Sequence, residues 1–126
     1  MTRTESSKYA ETPAGSLERA IAIATAAHEG QVDKAGDRYI EHPLRVMANL
    51  TGTSAQVVAV LHDVVEDTTV SFDKLREEGF SEEVIEAVDA LTKREGETLE
   101  QSMARVRAIP LAVEVKRADI ADNSVA

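Results

Sequence analysis

The sequence predicts an all-α fold, a compact bundle of about seven helices. Apolar residues recur at helical spacing through most of the chain, as in Leu17–Glu29. Ser, Thr, Gly and Pro stand where helices would begin or end. The apolar run Leu111–Val115 is the one ambiguous stretch. Pro110 in front of it and the polar period behind it favour a helix over a strand.

Each predicted helix starts at a residue that can cap it or occupy its first turn. The predicted spans are 17–29, 43–50, 54–67, 72–78, 81–92, 99–108 and 110 onward. The capping residues are Ser16, Ser54, Ser71, Ser81 and the capping box Thr98–Gln101, and the first-turn prolines are Pro43 and Pro110. The segment 30–41 contains two glycines and predicts an ordered loop.

The two ends of the chain carry separate predictions. Met1–Gly15 is polar, lacks an apolar segment of signal-peptide type and is interpreted as a flexible leader. Residues 16–126 form the predicted domain. The last helix has no C-cap before Ala126, so we expect it to be incomplete and further C-terminal helices to be missing from this sequence.

The composition excludes several classes of function. The net charge of −9 argues against a nucleic-acid binder or a membrane-surface protein, because both need a basic face. It permits an anionic small molecule, since a bound cation and a few lysines can reverse the sign inside a pocket. With no cysteine, the chain lacks disulfides, thiolate zinc sites and cysteine nucleophiles. A cytoplasmic location is compatible with this usage and is our expectation.

The hexapeptide His62–Asp67 is the most informative feature of the chain. At about 100° per residue, the side chains of His62, Asp63, Glu66 and Asp67 fall within an arc of roughly 140°. Apolar residues occupy the opposite side, which a core would cover. The alternative is an acidic helix end on the surface, but carboxylates near a helix C-terminus oppose the macrodipole. The pattern therefore favours a metal site.

Further ligands must come from elsewhere in the chain. Pro43 fixes the backbone next to His42, which favours that imidazole as a ligand. His28 ends the first helix, where it suits the macrodipole as a cation or supports a loop as a neutral group. Asp119 and Asn123 are four residues apart and share a helix face, although a salt-bridged surface helix is the alternative here.

His42, the pair His62–Asp63 and Asp119 resemble the metal set of the HD-domain phosphohydrolases. The resemblance is closest to the guanosine polyphosphate hydrolase domain of the RelA/SpoT family and its small stand-alone relatives. The string His-Asp-Val-Val-Glu-Asp-Thr, with Tyr-Ile-x-His-Pro upstream and Lys-x-Ala-Asp downstream, is highly specific. The resembling stretches are Ala27–Gln31, Lys34–Gly36, Tyr39–Val46, Val60–Thr68, Leu91–Lys93 and Val115–Asp119.

The resemblance implies an HD-domain bundle and metal-dependent hydrolysis of a nucleotide. One manganese ion per chain would be held, with positions left open for water and a phosphate oxygen, by His42, His62, Asp63 and Asp119. Glu66 and Asp67 match the catalytic acid pair, and their alternative role is to support the metal ligands. The positions that match the substrate side of the pocket are Lys34, Tyr39, Lys116 and Asn123.

Several positions depart from the pattern of that family. Asp33 stands where arginine is usual, and Ile120–Asp122 replaces Arg-Leu-His. Arg117 replaces a leucine, and Asp37–Arg38 replaces a residue-Pro pair. No metal ligand is lost, but we expect all of these changes at the pocket wall, where Asp33 could accept hydrogen bonds from a base edge. The chemistry is therefore better defined than the substrate.

Alternatives remain at the level of function. Within the enzyme class, the substrate is guanosine tetra- or pentaphosphate, its adenosine counterpart, or a phosphate on a dinucleotide such as NADPH. The other class is a binding module that holds a nucleotide or a partner protein without turnover. The intact Glu66–Asp67 pair favours the enzyme, whereas Asp33 favours the binding module. The oligomeric state is open, with a homodimer as one alternative.

Overall fold

The computed structural model describes Tyr9 and residues 11–123, with the exception of the Asp67 side chain. The described residues form eight helices, which confirms the all-α prediction. In chain order they are α1 (Leu17–Ala27), α2 (Glu41–Ala48), α3 (Thr53–Leu61), α4 (Val64–Asp67), α5 (Phe72–Glu77), α6 (Glu82–Leu91), α7 (Leu99–Arg107) and α8 (Pro110–Asn123). Strand-like pairing in this part of the chain is limited to one bridge between Val32 and Arg38. Among the described residues, every helix is too short or too polar to cross a bilayer.

Helix α3 is the central element of the bundle. It packs against α1, α2, α6 and α8. Ala55 and all residues from Val57 to Leu61 are buried, so α3 is enclosed on nearly all sides. Of the predicted polar side of the motif, His62 is buried as well, whereas Glu66 is exposed. This packing brings the start of α2, the end of α3 and the last part of α8 to one place.

Most helix starts follow the capping signals in the sequence. A serine hydroxyl accepts a hydrogen bond from the backbone N–H three residues later at Ser16, Ser71 and Ser81. Thr98 and Gln101 form the predicted capping box. The start of α3 differs, because Gly52 precedes it and Ser54 does not cap it. The positive φ of Gly52, 91°, lets the chain turn into the helix one residue earlier than predicted.

The predicted motif helix is divided in two, which corrects the expectation of one helix over 54–67. α3 ends at Leu61 and α4 starts at Val64, with His62 and Asp63 in the turn between them. The His62 ring donates its Nδ1–H to the carbonyl oxygen of Ala59 at 2.7 Å. A continuous helix uses that carbonyl for a backbone N–H. The side-chain bond therefore accompanies the break and fixes the direction of the imidazole.

The segment before α1 contacts the bundle through Arg19. Its guanidinium donates to the carbonyl oxygens of Tyr9 and Thr12 and forms a buried ion pair with Glu78 at 3.3 Å. These bonds attach the end of the predicted leader to α1 and to the segment after α5. The rest of the predicted leader, residues 1–8 and 10, lies outside the described residues, as does the predicted continuation of α8 past residue 123. The domain boundary after Gly15 stays a prediction.

The connection between α6 and α7 depends on one ion pair, Glu97 with Arg105. The two carboxylate oxygens of Glu97 each accept a hydrogen bond of 2.7 Å from the guanidinium of Arg105. The same guanidinium donates to the backbone carbonyls of Asp89, Ala90 and Thr92, which lie at the end of α6. The Arg105 hydrogen bond lowers the pKa of Glu97 from 4.5 to about 2. The pair therefore fixes the loop that carries Lys93.

We expect Glu97→Gln to lower the thermal stability of the protein at neutral pH and to leave it nearly unchanged near pH 2. Because the folded-state pKa lies below the unfolded value of 4.5, the pair stabilises the fold above that pH. Its contribution is lost as the pH falls from 4.5 to about 2. Thermal unfolding followed by circular dichroism across this range measures the difference. Glu95→Gln, a change at an exposed neighbour, is the control. An equal loss at both pH values would contradict the assignment.

Candidate metal centre and nucleotide cavity

Two histidines from different helices meet one carboxylate. The Nε2 atom of His42, at the start of α2, lies 2.8 Å from Oδ1 of Asp119 on α8. The Nε2 atom of His62, at the end of α3, lies 3.4 Å from the same oxygen. One potential ligand atom from each of the three side chains lies within 4.8 Å of the others. This donor set of two imidazoles and a carboxylate suits a divalent metal ion.

The other nitrogen of each imidazole ring is bound to a protein oxygen. His62 donates through Nδ1 to the Ala59 carbonyl at 2.7 Å, and Nδ1 of His42 lies 2.6 Å from Oδ2 of Asp122. With the proton on Nδ1, the neutral ring carries its lone pair on Nε2. Both lone pairs are therefore directed towards Asp119, as metal coordination requires.

The titratable groups of this centre shift one another's pKa values. The hydrogen bond to Asp119 raises the pKa of His42. Burial alone would lower the pKa of His62, but the bond to Asp119 and the charge of Asp63 outweigh it and raise the pKa. Burial likewise opposes the charged form of Asp119, yet the two histidines lower its pKa overall. The carboxylate thus favours a positive charge at this point, which a proton or a metal ion can supply.

Asp63 lies beside the three-residue centre. Its Oδ2 atom is 3.4 Å from Nε2 of His62 and accepts a hydrogen bond of 2.5 Å from the Tyr39 hydroxyl. The carboxylate is therefore held at the edge of the centre by a tyrosine that the sequence assigned to the substrate. The role of Asp63 as a fourth ligand stays a prediction.

A cavity of about 400 Å³ opens over the centre. Predicted site residues that line it, besides the three side chains of the centre, are Tyr39, Asp63, Glu66, Lys116 and Asn123. Lys34 is exposed and does not belong to this lining. Asp67 ends α4, but its side chain lies outside the described residues, so its catalytic assignment stays a prediction. The cavity therefore combines the candidate metal centre with the carboxylate of Glu66 and the side chains of Lys93 and Lys116.

The sequence profile described as "HD domain" matches residues 20–118. The chain belongs to the HD-domain family. This match covers more than half of the chain and includes His42 and His62. The expected relation to the hydrolase domains of the SpoT and RelA proteins is supported by the individual relatives.

Curated relatives of this HD domain are much longer proteins. A probable GTP pyrophosphokinase of Mycobacterium leprae is 36% identical over 121 residues, which is 85% of this chain and 15% of that protein. A guanosine-3′,5′-bis(diphosphate) 3′-pyrophosphohydrolase of Haemophilus influenzae is 41% identical over 75 residues, 56% of this chain and 11% of that protein. The chain thus spans less than one sixth of these two relatives.

A solved structure matches the HD domain along nearly its whole length. It is reported as a metazoan ortholog of SpoT that hydrolyses ppGpp. The superposition has a TM-score of 0.72 at 25% sequence identity and covers 96% of this chain and 71% of that one. The chain is therefore homologous to ppGpp hydrolase domains in both sequence and fold.

The loop before α2 explains one departure from the family pattern. Oδ1 of Asp33 accepts hydrogen bonds from the backbone N–H groups of Ala35 at 2.9 Å and Asp37 at 3.0 Å. An aspartate that closes its own turn in this way stabilises the loop locally. Asp33 also lines the cavity, but one of its oxygens is committed to this turn rather than directed at a base.

The remaining departures do not all lie at the pocket wall, which corrects our expectation. Arg117, Arg38 and Ile120 do not line the cavity of this HD domain. Asp122 lies behind His42, where its carboxylate contacts the ring and the guanidinium of Arg45. The family positions that changed therefore affect the ligand support and the loop more than the cavity surface.

His28 supports the loop rather than the metal centre. Its ring is 2% exposed, and its Nδ1 atom lies 2.9 Å from the side-chain oxygen of Gln31. The ring packs against that of Tyr39, with 4.9 Å between their centroids. The loop-supporting alternative therefore fits the structure better than a role as a ligand.

The sequence did not predict a role beside the candidate ligands for Arg45 or Asp122. Both sit three residues after a predicted ligand, Arg45 after His42 and Asp122 after Asp119. On a helix that spacing places side chains on one face. The spacing was visible in the sequence, but the pairing across α2 and α8 was not.

Proposed function

We propose that this HD domain is a manganese-dependent phosphohydrolase that removes the 3′-pyrophosphate of guanosine tetra- or pentaphosphate. The observation that carries the proposal is the convergence of two imidazoles and a carboxylate at the floor of one cavity. A metal centre, an acid and two lysines in a single cavity suit hydrolysis of a phosphate ester. Homology to ppGpp hydrolase domains supports the choice of substrate.

The donor set fits a divalent cation of the manganese type. His42, His62 and Asp119 supply two neutral nitrogens and a carboxylate oxygen. In this proposal Asp63, whose Oδ2 atom lies 3.4 Å from Nε2 of His62, is the fourth ligand. Imidazole and carboxylate ligands suit such cations, and fewer than six protein ligands leave room for substrate. When bound, the ion supplies positive charge that stabilises the phosphate oxygens and acidifies water.

The residues around the centre have complementary roles in this proposal. Glu66 lines the cavity with its carboxylate exposed, so it can take a proton from the attacking water. Lys93 and Lys116 line the same cavity and can bind phosphate oxygens. Tyr39 holds the carboxylate of Asp63 by its hydroxyl. These two lysines, with Arg45, offset part of the charge of the four carboxylates in the lining, those of Asp33, Asp63, Glu66 and Asp119.

One residue of the cavity lining, Asp33, is compatible with a substrate other than a guanosine polyphosphate. Asp33 stands at the cavity where arginine is usual in the family, so contacts with the nucleotide base differ. The adenosine counterpart of ppGpp and the phosphate of NADPH are therefore the alternatives within the enzyme class. A binding module without turnover is the alternative outside it.

The experiment is phosphate and pyrophosphate release by the purified chain with Mn²⁺. Guanosine tetraphosphate, its adenosine analogue and NADPH are offered in parallel, with chelator and with Asp119→Ala as controls. We expect pyrophosphate release from the guanosine compound, lost in both controls. Pyrophosphate release from the adenosine analogue alone would assign adenine as the base of the substrate. Phosphate release from NADPH alone would assign the chain to the dinucleotide phosphatases. Nucleotide binding without any release would overturn the enzymatic assignment in favour of the binding module.

A further inference from the structure

The metal ligand His42 is bound at both ring nitrogens by carboxylates of the same helix. Its Nε2 atom lies 2.8 Å from Oδ1 of Asp119, and its Nδ1 atom lies 2.6 Å from Oδ2 of Asp122. Both carboxylates belong to α8 and are three residues apart. Since positions at this spacing share a helix face, one face of α8 contacts the imidazole on two sides.

Asp122 is bound in turn by a guanidinium from α2. Arg45 donates through Nε to Oδ1 of Asp122 at 3.0 Å and through a terminal nitrogen to Oδ2 at 3.2 Å. Arg45 follows His42 by three residues, so both project from one face of α2. The side chain of Asp122 is only 9% exposed, whereas that of Arg45 is 51% exposed. The arginine therefore compensates the charge of a nearly buried carboxylate from the solvent side.

Asp122 is not placed as a ligand itself. The two nitrogens of an imidazole ring point in different directions, so a carboxylate on Nδ1 is remote from a metal ion on Nε2. Both oxygens of Asp122 already accept hydrogen bonds, from the His42 ring and from Arg45. In metal sites, a carboxylate on the far nitrogen of a ligating histidine fixes the tautomer and the ring orientation and raises ligand basicity.

We propose that Asp122, fixed by Arg45, is a positioning residue that sets the tautomer and orientation of His42 for metal binding. The inference rests on the metal centre of the proposed function. It concerns this chain in particular, because Asp122 occupies a position where the resembling family usually has histidine. His62 obtains the same support from a backbone carbonyl, that of Ala59. The two histidine ligands are thus positioned by different means.

The test is the Mn²⁺ affinity of the full chain, measured by titration calorimetry, with the absorption spectrum of bound Co²⁺ as a second readout. We expect Asp122→Ala to weaken Mn²⁺ binding about 10–100-fold, the usual effect of removing such a partner. The Co²⁺ spectrum should change, because the ring of His42 is free to turn. Asp122→Asn should restore much of the affinity, since its side-chain oxygen can still accept from Nδ1. Arg45→Gln should cause a smaller loss.

The matched control is Asp89→Ala. Asp89 also accepts two hydrogen bonds from one guanidinium, that of Arg94 at 3.1 Å each, but it does not line the cavity. If this variant weakened Mn²⁺ binding as much as Asp122→Ala, the effect would be one of net charge and the proposal would fail. Native affinity and an unchanged Co²⁺ spectrum in Asp122→Ala would also overturn it. If Asp122→Ala does not fold, Arg45→Gln decides the question, and native Mn²⁺ affinity with an unchanged Co²⁺ spectrum in that variant overturns the proposal.

The outcome is separable from that of the proposed function. A native protein that binds Mn²⁺ but releases nothing from any nucleotide contradicts the proposed function and leaves the Asp122 comparison intact. Turnover by the native protein together with native affinity in Asp122→Ala contradicts only the positioning role. Failure of the native protein to bind Mn²⁺ or Co²⁺ overturns both.

Discussion

His62→Ala is expected to abolish the rise in melting temperature that Mn²⁺ gives the native protein. The imidazole of His62 is buried and its Nε2 atom belongs to the three-atom donor set around Asp119. Removal of a direct ligand should cost more than the roughly 100-fold upper effect of an outer-shell partner. Because the ion binds only the folded site, its effect on stability reports the affinity directly.

The stabilisation that Mn²⁺ is expected to give the native protein is large enough for its loss in His62→Ala to be measured. At a free Mn²⁺ concentration of about 100 times Kd, binding stabilises the folded state by about 2.7 kcal/mol. For a domain of this size, that corresponds to about 10 °C in Tm. The His62→Ala protein should show almost none of this rise under the same conditions. Differential scanning calorimetry with and without Mn²⁺ measures both values.

His28→Ala is the matched control for the loss of a buried imidazole. His28 is as buried as His62, at 2% against 6% exposure, but it supports the loop and not the metal centre. Both variants should melt at a lower temperature than the native protein without metal, because each loses buried contacts. Only His62→Ala should also lose the response to Mn²⁺. An unchanged metal stoichiometry in His62→Ala, by elemental analysis, would disprove its assignment as a ligand.

Glu66→Gln is expected to lower kcat by about 10²–10⁴-fold, the usual contribution of a general base. The substitution keeps the size of the side chain and removes its capacity to take a proton. Metal binding should be unaffected, because the structure shows no hydrogen bond from Glu66 to a described residue of the centre. Steady-state kinetics on the substrate found in the release assay, with metal content measured in parallel, test both expectations.

Two outcomes would contradict the role of Glu66. Full activity in Glu66→Gln would mean that another group takes the proton, and Asp67→Asn would then be the next variant. Loss of metal together with activity would mean that Glu66 supports the ligands instead. Glu86→Gln, which changes an exposed glutamate of α6 outside the cavity, should match the native protein in both measurements.

Most helix starts could be predicted because their signals are local. A capping serine or threonine contacts backbone only three residues away, so the sequence around Ser71 or Thr98 contains the whole interaction. The break in the helix after Leu61 was not predicted, although it too involves residues that are close in sequence. The hydrogen bond of the His62 ring to the Ala59 carbonyl accompanies it, and the residue type does not show whether an imidazole will bind its own backbone or only a side chain of another helix.

The residues alone favoured His62, Asp63 and His42 as ligands, but only the resemblance grouped them with Asp119 in one centre. His42 and Asp119 are 77 residues apart, and nothing in the spacing of one helix shows which other helix it will contact. For the same reason Asp122 and Arg45 were missed, since each sits at a plain helical interval from a ligand and is informative only once α2 and α8 are seen to pack. The turn at Asp33 was missed because a charged residue near a phosphate site invites an electrostatic interpretation before a conformational one.

Two parts of the cavity wall differ in how firmly the fold holds them. One is the end of α3, which other helices enclose, and the other is the loop that carries Asp33. Helix α3 contains three valines, whose intrinsic helix propensity is weak, so its helical form depends on the packing around it. His62 therefore directly follows a helix that packs against four others. The cavity lining also includes Asp33, on a loop held by hydrogen bonds of its own turn. Substitutions in that loop are therefore expected to change the cavity wall with little cost to the core, whereas the candidate metal centre is held by the packing of α2, α3 and α8.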